Sequence, residues 1–275
     1  VAAARAAFIA GFGATSNLEA GHRWGIPTMG TAAHSWTLLH DTEADAFAAQ
    51  LRALGDQTTL LIDTYDIETG VDTAIRVAGT GLGGVRIDSG DLPIVAAQVR
   101  RQLDSLGAHD TRITVTSDLD EFAIAALAAS PVDAYGVGTA LATGSGSPTA
   151  GLVYKLVARQ DAGGAWIPVA KTSTAKASLG GRKTAFRILE HGIAREELIV
   201  VTEGFEHTET PTPPSNARAL QIPLVAHGEI DAAAEGPGGV SAAREHHARV
   251  RAELPLTALA LSRSEPALET AYQTG

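Results

Sequence analysis

Between residues 58 and 140, short apolar runs alternate with stretches of helical spacing. Residues 58–63 (TTLLID), 84–88 (GVRID), 112–117 (RITVTS) and 132–137 (VDAYGV) read as strands, being short, rich in β-branched residues and bounded by Gly, Asp or Ser. Residues 67–78, 92–106 and 120–129 set their apolar side chains three and four apart and read as helices. Such alternation predicts βα units around a parallel sheet, either open or closed into a barrel. Runs that are apolar on both faces predict strands covered on both sides. Upstream, 1–12, 18–24 and 43–54 read as helices with a short strand at 26–29. Downstream the pattern changes: 152–160 and 166–171 read as a hairpin across a Gly-Gly turn, 208–216 and 229–240 as loops, and 241–254 as a helix. The tail from Ser262 reads as frayed.

Composition narrows this to a folded globule. The 275 residues are 45% hydrophobic and 19% charged, with only 5% aromatic, so the core is built from Ala, Val, Leu and Ile. No apolar run approaches the roughly 18–20 residues of a membrane span. The absence of cysteine excludes disulfides and thiolate metal sites and makes a reducing cytoplasm the expected compartment. The chain opens on Val1 inside a helical pattern with no signal-peptide character, which is the expectation for part of a longer protein. The net charge, 21 − 31 = −10, argues against nucleic acid as partner. Residues 151–190 are locally +5, however, and hold all four lysines of the chain, Lys155, Lys171, Lys176 and Lys183. Lys171, Lys176, Arg182 and Lys183 are therefore either a site for a small anion or a solvated cationic face.

Ligands of parallel α/β folds sit at the carboxyl ends of the strands, where helix N-termini gather. Read in order, those ends carry Gly30-Thr31-Ala32-Ala33-His34-Ser35, then Asp63-Thr64-Tyr65-Asp66, Arg86-Ile87-Asp88-Ser89-Gly90-Asp91, Ser117-Asp118-Leu119-Asp120 and Gly136-Val137-Gly138-Thr139. The glycines of the last group let backbone N–H groups approach a phosphate and Thr139 adds a hydroxyl, though the same residues also make an ordinary turn. Arg86 and Asp88 sit two apart and share a strand face. They form either a phosphate-binding fork beside a ribose- or Mg²⁺-binding carboxylate, or a plain ion pair. His34 is either a satisfied core residue or a nucleophile whose other ring nitrogen is held by Asp63. No His/Glu spacing fits zinc, and neither a Walker loop nor a Gly-x-Ser-x-Gly elbow occurs.

These motifs in this order resemble the nicotinate phosphoribosyltransferase family. The resemblance runs through residues 11–17 (GFGATSN), 30–36 (GTAAHSW), 61–66 (LIDTYD), 85–91 (VRIDSGD), 116–121 (TSDLDE), 135–139 (YGVGT) and 148–155 (PTAGLVYK), dense to about residue 190 and loose beyond. It implies a TIM-like α/β barrel as fold, with residues 1–155 as its core. Residues 156–275 would complete the barrel and supply part of a smaller, β-rich second domain. It implies the transfer of phosphoribose from 5-phosphoribosyl 1-pyrophosphate to nicotinate, with Mg²⁺ and ATP, in a homodimer. By motif, His34 would be phosphorylated by ATP and Asp63 would orient it. Arg86 would meet pyrophosphate and Asp88 the ribose hydroxyls and Mg²⁺. Ser117 and Asp118 would line the ribose site, and Gly136, Gly138 and Thr139 would take the 5′-phosphate. Thr15, Thr31, Ser35, Ser89 and Gly90 complete the expected lining, and Ser16, a neutral hydroxyl where related nicotinamide enzymes carry Asp, would tolerate the carboxylate of nicotinate. The family's Asp-Phe-Gly-x-Arg segment, which grips the pyridine ring, precedes the first of these motifs, so the chain alone is expected to show little or no activity. The first rival is a nicotinamide or quinolinate phosphoribosyltransferase on the same barrel plan, and the quinolinate enzymes lack the phosphorylated His, which separates them from Gly-Thr-x-x-His-Ser; a non-catalytic phosphate-binding barrel is the rival of another class.

Overall fold

The computed structural model describes residues 1–145, 147–172, 178–202 and 211–274. Lys176 and the first part of the loop expected at 208–216 lie outside the described residues. The chain divides into two compact units: Val1–Ala4, Ala14–Gly21 and Pro27–Thr149 in one, Arg5–Gly13, His22–Ile26 and Ala150–Gly275 in the other.

After α1 (Ala2–Ala10), α2 (Leu18–Trp24), α3 (His34–Leu38) and α4 (Glu43–Leu54), the first unit alternates strand and helix. Its elements are β1 (Thr59–Leu61), α5 (Ile67–Ala78), β2 (Gly84–Ile87), α6 (Leu92–Ser105), β3 (Arg112–Val115), α7 (Glu121–Ala126), β4 (Ala134–Tyr135) and the short α8 (Thr139–Thr143). The four strands pair in parallel in the order β1-β2-β3-β4. The α/β reading and the parallel sheet therefore hold; the topology is that of an open four-stranded sheet, and a closed barrel is not shown. Only an isolated bridge, Thr15 to Thr28, stands where a strand was expected at 26–29.

Leu60, Leu61 and Ile62 are all buried, as are Val85, Ile87, Ile113 and Val115, so the sheet is covered on both faces. One hydrophobic cluster joins these strands to Phe47, Val71, Ala74, Val99 and Leu103 of the helices. Each such side chain withdrawn from water contributes about 1.5–3 kcal/mol. Helices begin where a carboxylate caps them: Asp66 accepts from Thr69 N, Asp91 from Ile94 N and Asp120 from Ala123 N. Each cap closes a strand–helix loop at the carboxyl end of the sheet and keeps those loops short. Gly70 lets α5 lie directly on β1, since a Cβ there would overlap the carbonyl oxygen of Ile62.

The second unit is built on antiparallel pairing. The expected hairpin is present but short, as β5 (Ala158–Gln160) and β6 (Trp166–Pro168). Two long strands, β7 (Arg182–Glu190) and β8 (Ile193–Thr202), pair across a tight turn, with β9 (Ala217–Ala219) on the outer edge of β7. After β10 (Val225–Ala226) and β11 (Glu229–Ile230) comes α9 (Gly236–Ala252). This helix starts inside the stretch expected as loop, because Pro237 sits in its first turn and Gly239 packs against the backbone of Ala234. Residues expected to fray instead form β12 (Glu269–Thr274), parallel to β8, whose exposed edge gives a polar segment its backbone partners. Arg244 of α9 donates to the carbonyls of Phe8, Gly11 and Phe12 and so caps the end of α1 within this unit.

Candidate active site

The site follows from strand register. Leu61 pairs with Arg86, Ile87 with Val115, and Val115 with Tyr135. Continued past the strand ends, this register sets Asp63, Asp88, Thr116 and Gly136 in one row across the sheet. Backbone bonds at the ends hold the row: Ile62 N donates to Arg86 O at 3.1 Å, Thr116 N to Ile87 O at 3.0 Å and Gly136 N to Val115 O at 2.9 Å.

Arg86 is the centre of the constellation. Its Nε donates to Thr116 Oγ1 at 2.9 Å, Nη1 to Thr31 Oγ1 at 2.6 Å and Ala32 O at 3.3 Å, and Nη2 to Asp88 Oδ1 at 2.8 Å. Four of the five donors of the guanidinium are thus engaged. The bonds to Thr31 and Ala32 tie the turn that leads into α3, and α3 begins at His34.

The ring of His34 has Nδ1 at 3.1 Å from Thr64 Oγ1, and its Nε2 lies 3.8 Å from Asp88 Oδ2. Asp63 does not hold the imidazole as expected. Its Oδ2 accepts from Asp88 N at 2.8 Å and Ser89 Oγ at 2.7 Å, while Oδ1, although buried, has no hydrogen-bond partner among the described residues. The reason is geometric: the register turns Asp63 toward β2, and Thr64, one residue on, meets the ring. Burial acts to raise the Asp88 pKa; hydrogen bonds from Thr116 and Arg86 and the charges of Arg86 and His34 outweigh it, holding the carboxyl below its ordinary 3.8.

Of the remaining expected residues, Ser117, Asp118, Gly138 and Thr139 follow the ends of β3 and β4 in the chain. Ser117 and Asp118 are exposed and adopt left-handed backbone, φ 105° and 46°, a strain characteristic of functional turns. Gly138 opens onto free space and Thr139, exposed, begins α8. Ser35 and Gly90 are exposed beside His34 and Asp88 in sequence, Gly90 with φ 91°. Thr15 lies on a separate segment, its backbone bonded to Pro27 and Met29, with Ser16 exposed beside it. The basic strip belongs to the second unit. There Lys183 Nζ donates to the carbonyls of Leu179 and Gly181 at 2.6 and 3.1 Å, and burial lowers its pKa. Lys171 is exposed and Arg182 half-buried. Sequence reasoning passed over Thr64 and Thr116, the two hydroxyls that join the charged groups, because a threonine at a strand end is ordinary in composition.

No family model matches the chain. Nicotinate phosphoribosyltransferase pncB1 of Mycobacterium tuberculosis H37Rv is 49% identical over 279 residues, which span 98% of this chain and 59% of that protein. The chain belongs to the nicotinate phosphoribosyltransferase family. The Bacillus subtilis nicotinate phosphoribosyltransferase is 41% identical over 196 residues, 68% of this chain and 40% of that protein. The chain thus spans well under two thirds of the length of the curated family members it matches. Among solved structures, human nicotinic acid phosphoribosyltransferase superposes with a TM-score of 0.66 at 22% identity, over 98% of this chain and 64% of that one. Nicotinate-nucleotide pyrophosphorylase from Pyrococcus furiosus gives 0.67 at 23%, over 90% and 61%. At these identities the likeness is one of fold, and it agrees with the mixed α/β character of the family.

Proposed function

We propose that the chain carries the phosphoribosyl-transfer machinery of a nicotinate phosphoribosyltransferase. The reaction would join nicotinate to 5-phosphoribosyl 1-pyrophosphate, releasing nicotinate mononucleotide and pyrophosphate, with ATP hydrolysis coupled through His34. The observation that carries this reading is the convergence of His34, at the start of α3, with Arg86 and Asp88, at the carboxyl end of β2, Asp88 Oδ2 accepting no hydrogen bond among the described residues.

With its proton on Nδ1, donated to Thr64 Oγ1, the imidazole presents a lone pair on Nε2. That nitrogen would form the N–P bond as the bond to the ADP oxygen breaks. Asp88 Oδ2 would receive a ribose hydroxyl. Bound Mg²⁺ would neutralise the departing pyrophosphate, and Asp88 Oδ2 is the oxygen that fits it. No cluster of three His, Cys, Asp or Glu gathers among the described residues, which suits an ion held mainly by substrate phosphates. Arg86 keeps one Nη2 proton for a phosphate oxygen, its other donors fixing the turn before α3. Gly136, Gly138 and Thr139 would cradle the 5′-phosphate and Ser117 and Asp118 the ribose.

The four parallel strands are, in this proposal, an arc of a closed barrel, and a homodimer completes the base half of the site. Among the described residues no helix is long and apolar enough to cross a membrane, and a cysteine-free chain suits the reducing cytoplasm. The test uses the full-length polypeptide with γ-labelled ATP. An acid-labile, base-stable label and nicotinate mononucleotide formation are expected. His34→Ala removes the label and lowers kcat by about 1,000-fold. Turnover without any label on His34 would overturn the role of the histidine.

A further inference from the structure

Thr116 connects the two charged groups of the rim. Its Oγ1 accepts from Arg86 Nε at 2.9 Å and is hydrogen-bonded to Asp88 Oδ1. Arg86 cannot accept, so the direction is fixed: the hydroxyl accepts a hydrogen bond from the guanidinium and donates one to the carboxylate. A hydroxyl has one proton, and the charged oxygen of Asp88 holds it in preference to the carbonyl of Ile87 at 3.4 Å.

Asp88 Oδ1 thereby carries two donors, Arg86 Nη2 and Thr116 Oγ1, and the carboxylate is held in one rotation with Oδ2 turned toward His34 Nε2. Arg86 is held likewise, since its Nε bond to Thr116 sets the plane in which Nη1 reaches Thr31 and Ala32. The threonine is fixed from its other side as well. A Cβ on Gly136 would overlap Thr116 Cγ2, so the glycine leaves the space that the methyl group fills. Gly136 therefore has a packing reason to be glycine that is separate from any approach to phosphate.

We propose that Thr116 is a positioning residue for phosphoribosyl transfer: its hydroxyl locks Asp88 with Oδ2 facing His34 and aims Arg86 at the turn before α3. This rests on the function proposed above. It assigns to a neutral side chain the task of choosing which carboxylate oxygen meets the substrate.

The test compares Thr116→Val, which keeps shape and loses the hydroxyl, with Thr116→Ser, which keeps the hydroxyl and loses the methyl, in the full-length protein. Thr116→Val is expected to lower kcat/KM for 5-phosphoribosyl 1-pyrophosphate by about 30-fold, the loss of one hydrogen bond to a charged group. Its thermal midpoint should stay within about 2 °C of the parent. Thr116→Ser should recover activity to within about threefold of the parent. Parental rates in Thr116→Val overturn the proposal, and so does a serine variant as slow as the valine one. Calorimetric titration of the three proteins with Mg²⁺ and 5-phosphoribosyl 1-pyrophosphate separates this from failure of the functional reading. Should the parent bind without forming nicotinate mononucleotide, that reading fails, while binding about tenfold weaker in Val and restored in Ser still sustains the positioning role. Equal binding in all three, or none in the parent, overturns it.

Discussion

Each unit contains a half-buried Arg–carboxylate pair, and the two are used differently. In the second unit Arg218 grips Glu253 with Nε at 3.1 Å from both oxygens and Nη2 at 2.6 Å from Oε2, so neither oxygen is spare. In the first unit the donors of Arg86 and Thr116 converge on Asp88 Oδ1 alone, and Oδ2 faces His34. The Glu253 side chain is 14% exposed and that of Asp88 30%. A pair that consumes both oxygens fastens β9 to the end of α9, whereas a pair that leaves one oxygen toward an opening is equipped to bind. The distinction lies in acceptor capacity and not in the residue types.

Two substitutions break or sharpen this contrast. Asp88→Asn keeps an acceptor for Arg86 and loses the charge; we expect kcat/KM to fall about 100-fold in the full-length protein, with stability changed by less than about 1 kcal/mol. The Asp88 pKa is lowered in the fold, so its contribution to stability is present above 3.8 and lost as pH falls below it. The small deficit of the variant should therefore vanish in acid denaturation profiles. Arg218→Ala should do the reverse, destabilising by about 2 kcal/mol in denaturant titration because Glu253 is left partly buried and unpaired. Activity per folded molecule should remain within about twofold of the parent. Loss of turnover without loss of stability would place Arg218 with Arg86 and end the contrast.

The smallest effect concerns Glu43, in the first turn of α4. Burial, with the charge of Asp66 adding, raises its pKa from 4.5 to about 7, and its Oε1 has no hydrogen-bond partner among the described residues. It lines a cavity of 270 Å³ together with Tyr65, Asp66, Thr69, Thr73 and Arg76. The folded pKa is the higher one, so stability is full below 4.5 and declines as pH rises toward 7. The complete shift corresponds to about 3 kcal/mol, which partial exposure to water cuts to about 1 kcal/mol. Glu43→Gln should then be more stable than the parent by about 1 kcal/mol at pH 8 and equal to it at pH 4, as read by thermal unfolding at the two pH values.

The first unit was more legible in the sequence than the second, for a physical reason. Parallel strands covered on both faces must be apolar throughout, so 58–63, 84–88 and 112–117 stand out, and the caps Asp66, Asp91 and Asp120 mark where each helix starts. The long hairpin Arg182–Thr202 was hidden by its charges: Arg182 and Lys183 read as the end of a basic strip, although Thr184 and Phe186 alternate inward as a half-buried strand requires. Glu269–Thr274 carries no apolar signature and becomes a strand because β8 offers an open edge.

The sequence by itself determined which chemistry gathers at the strand ends, and through those motifs the family. Side-chain type, strand period and helix caps act over a few residues, and they survive any small error in geometry. Which group holds which was decided only by the tertiary structure. His34 meets Thr64 and Asp88 instead of Asp63, and Asp63 serves the backbone of Asp88 and the hydroxyl of Ser89. Such choices depend on register between strands some 25 residues apart in sequence, and a hydrogen bond forms or fails within a few tenths of an ångström.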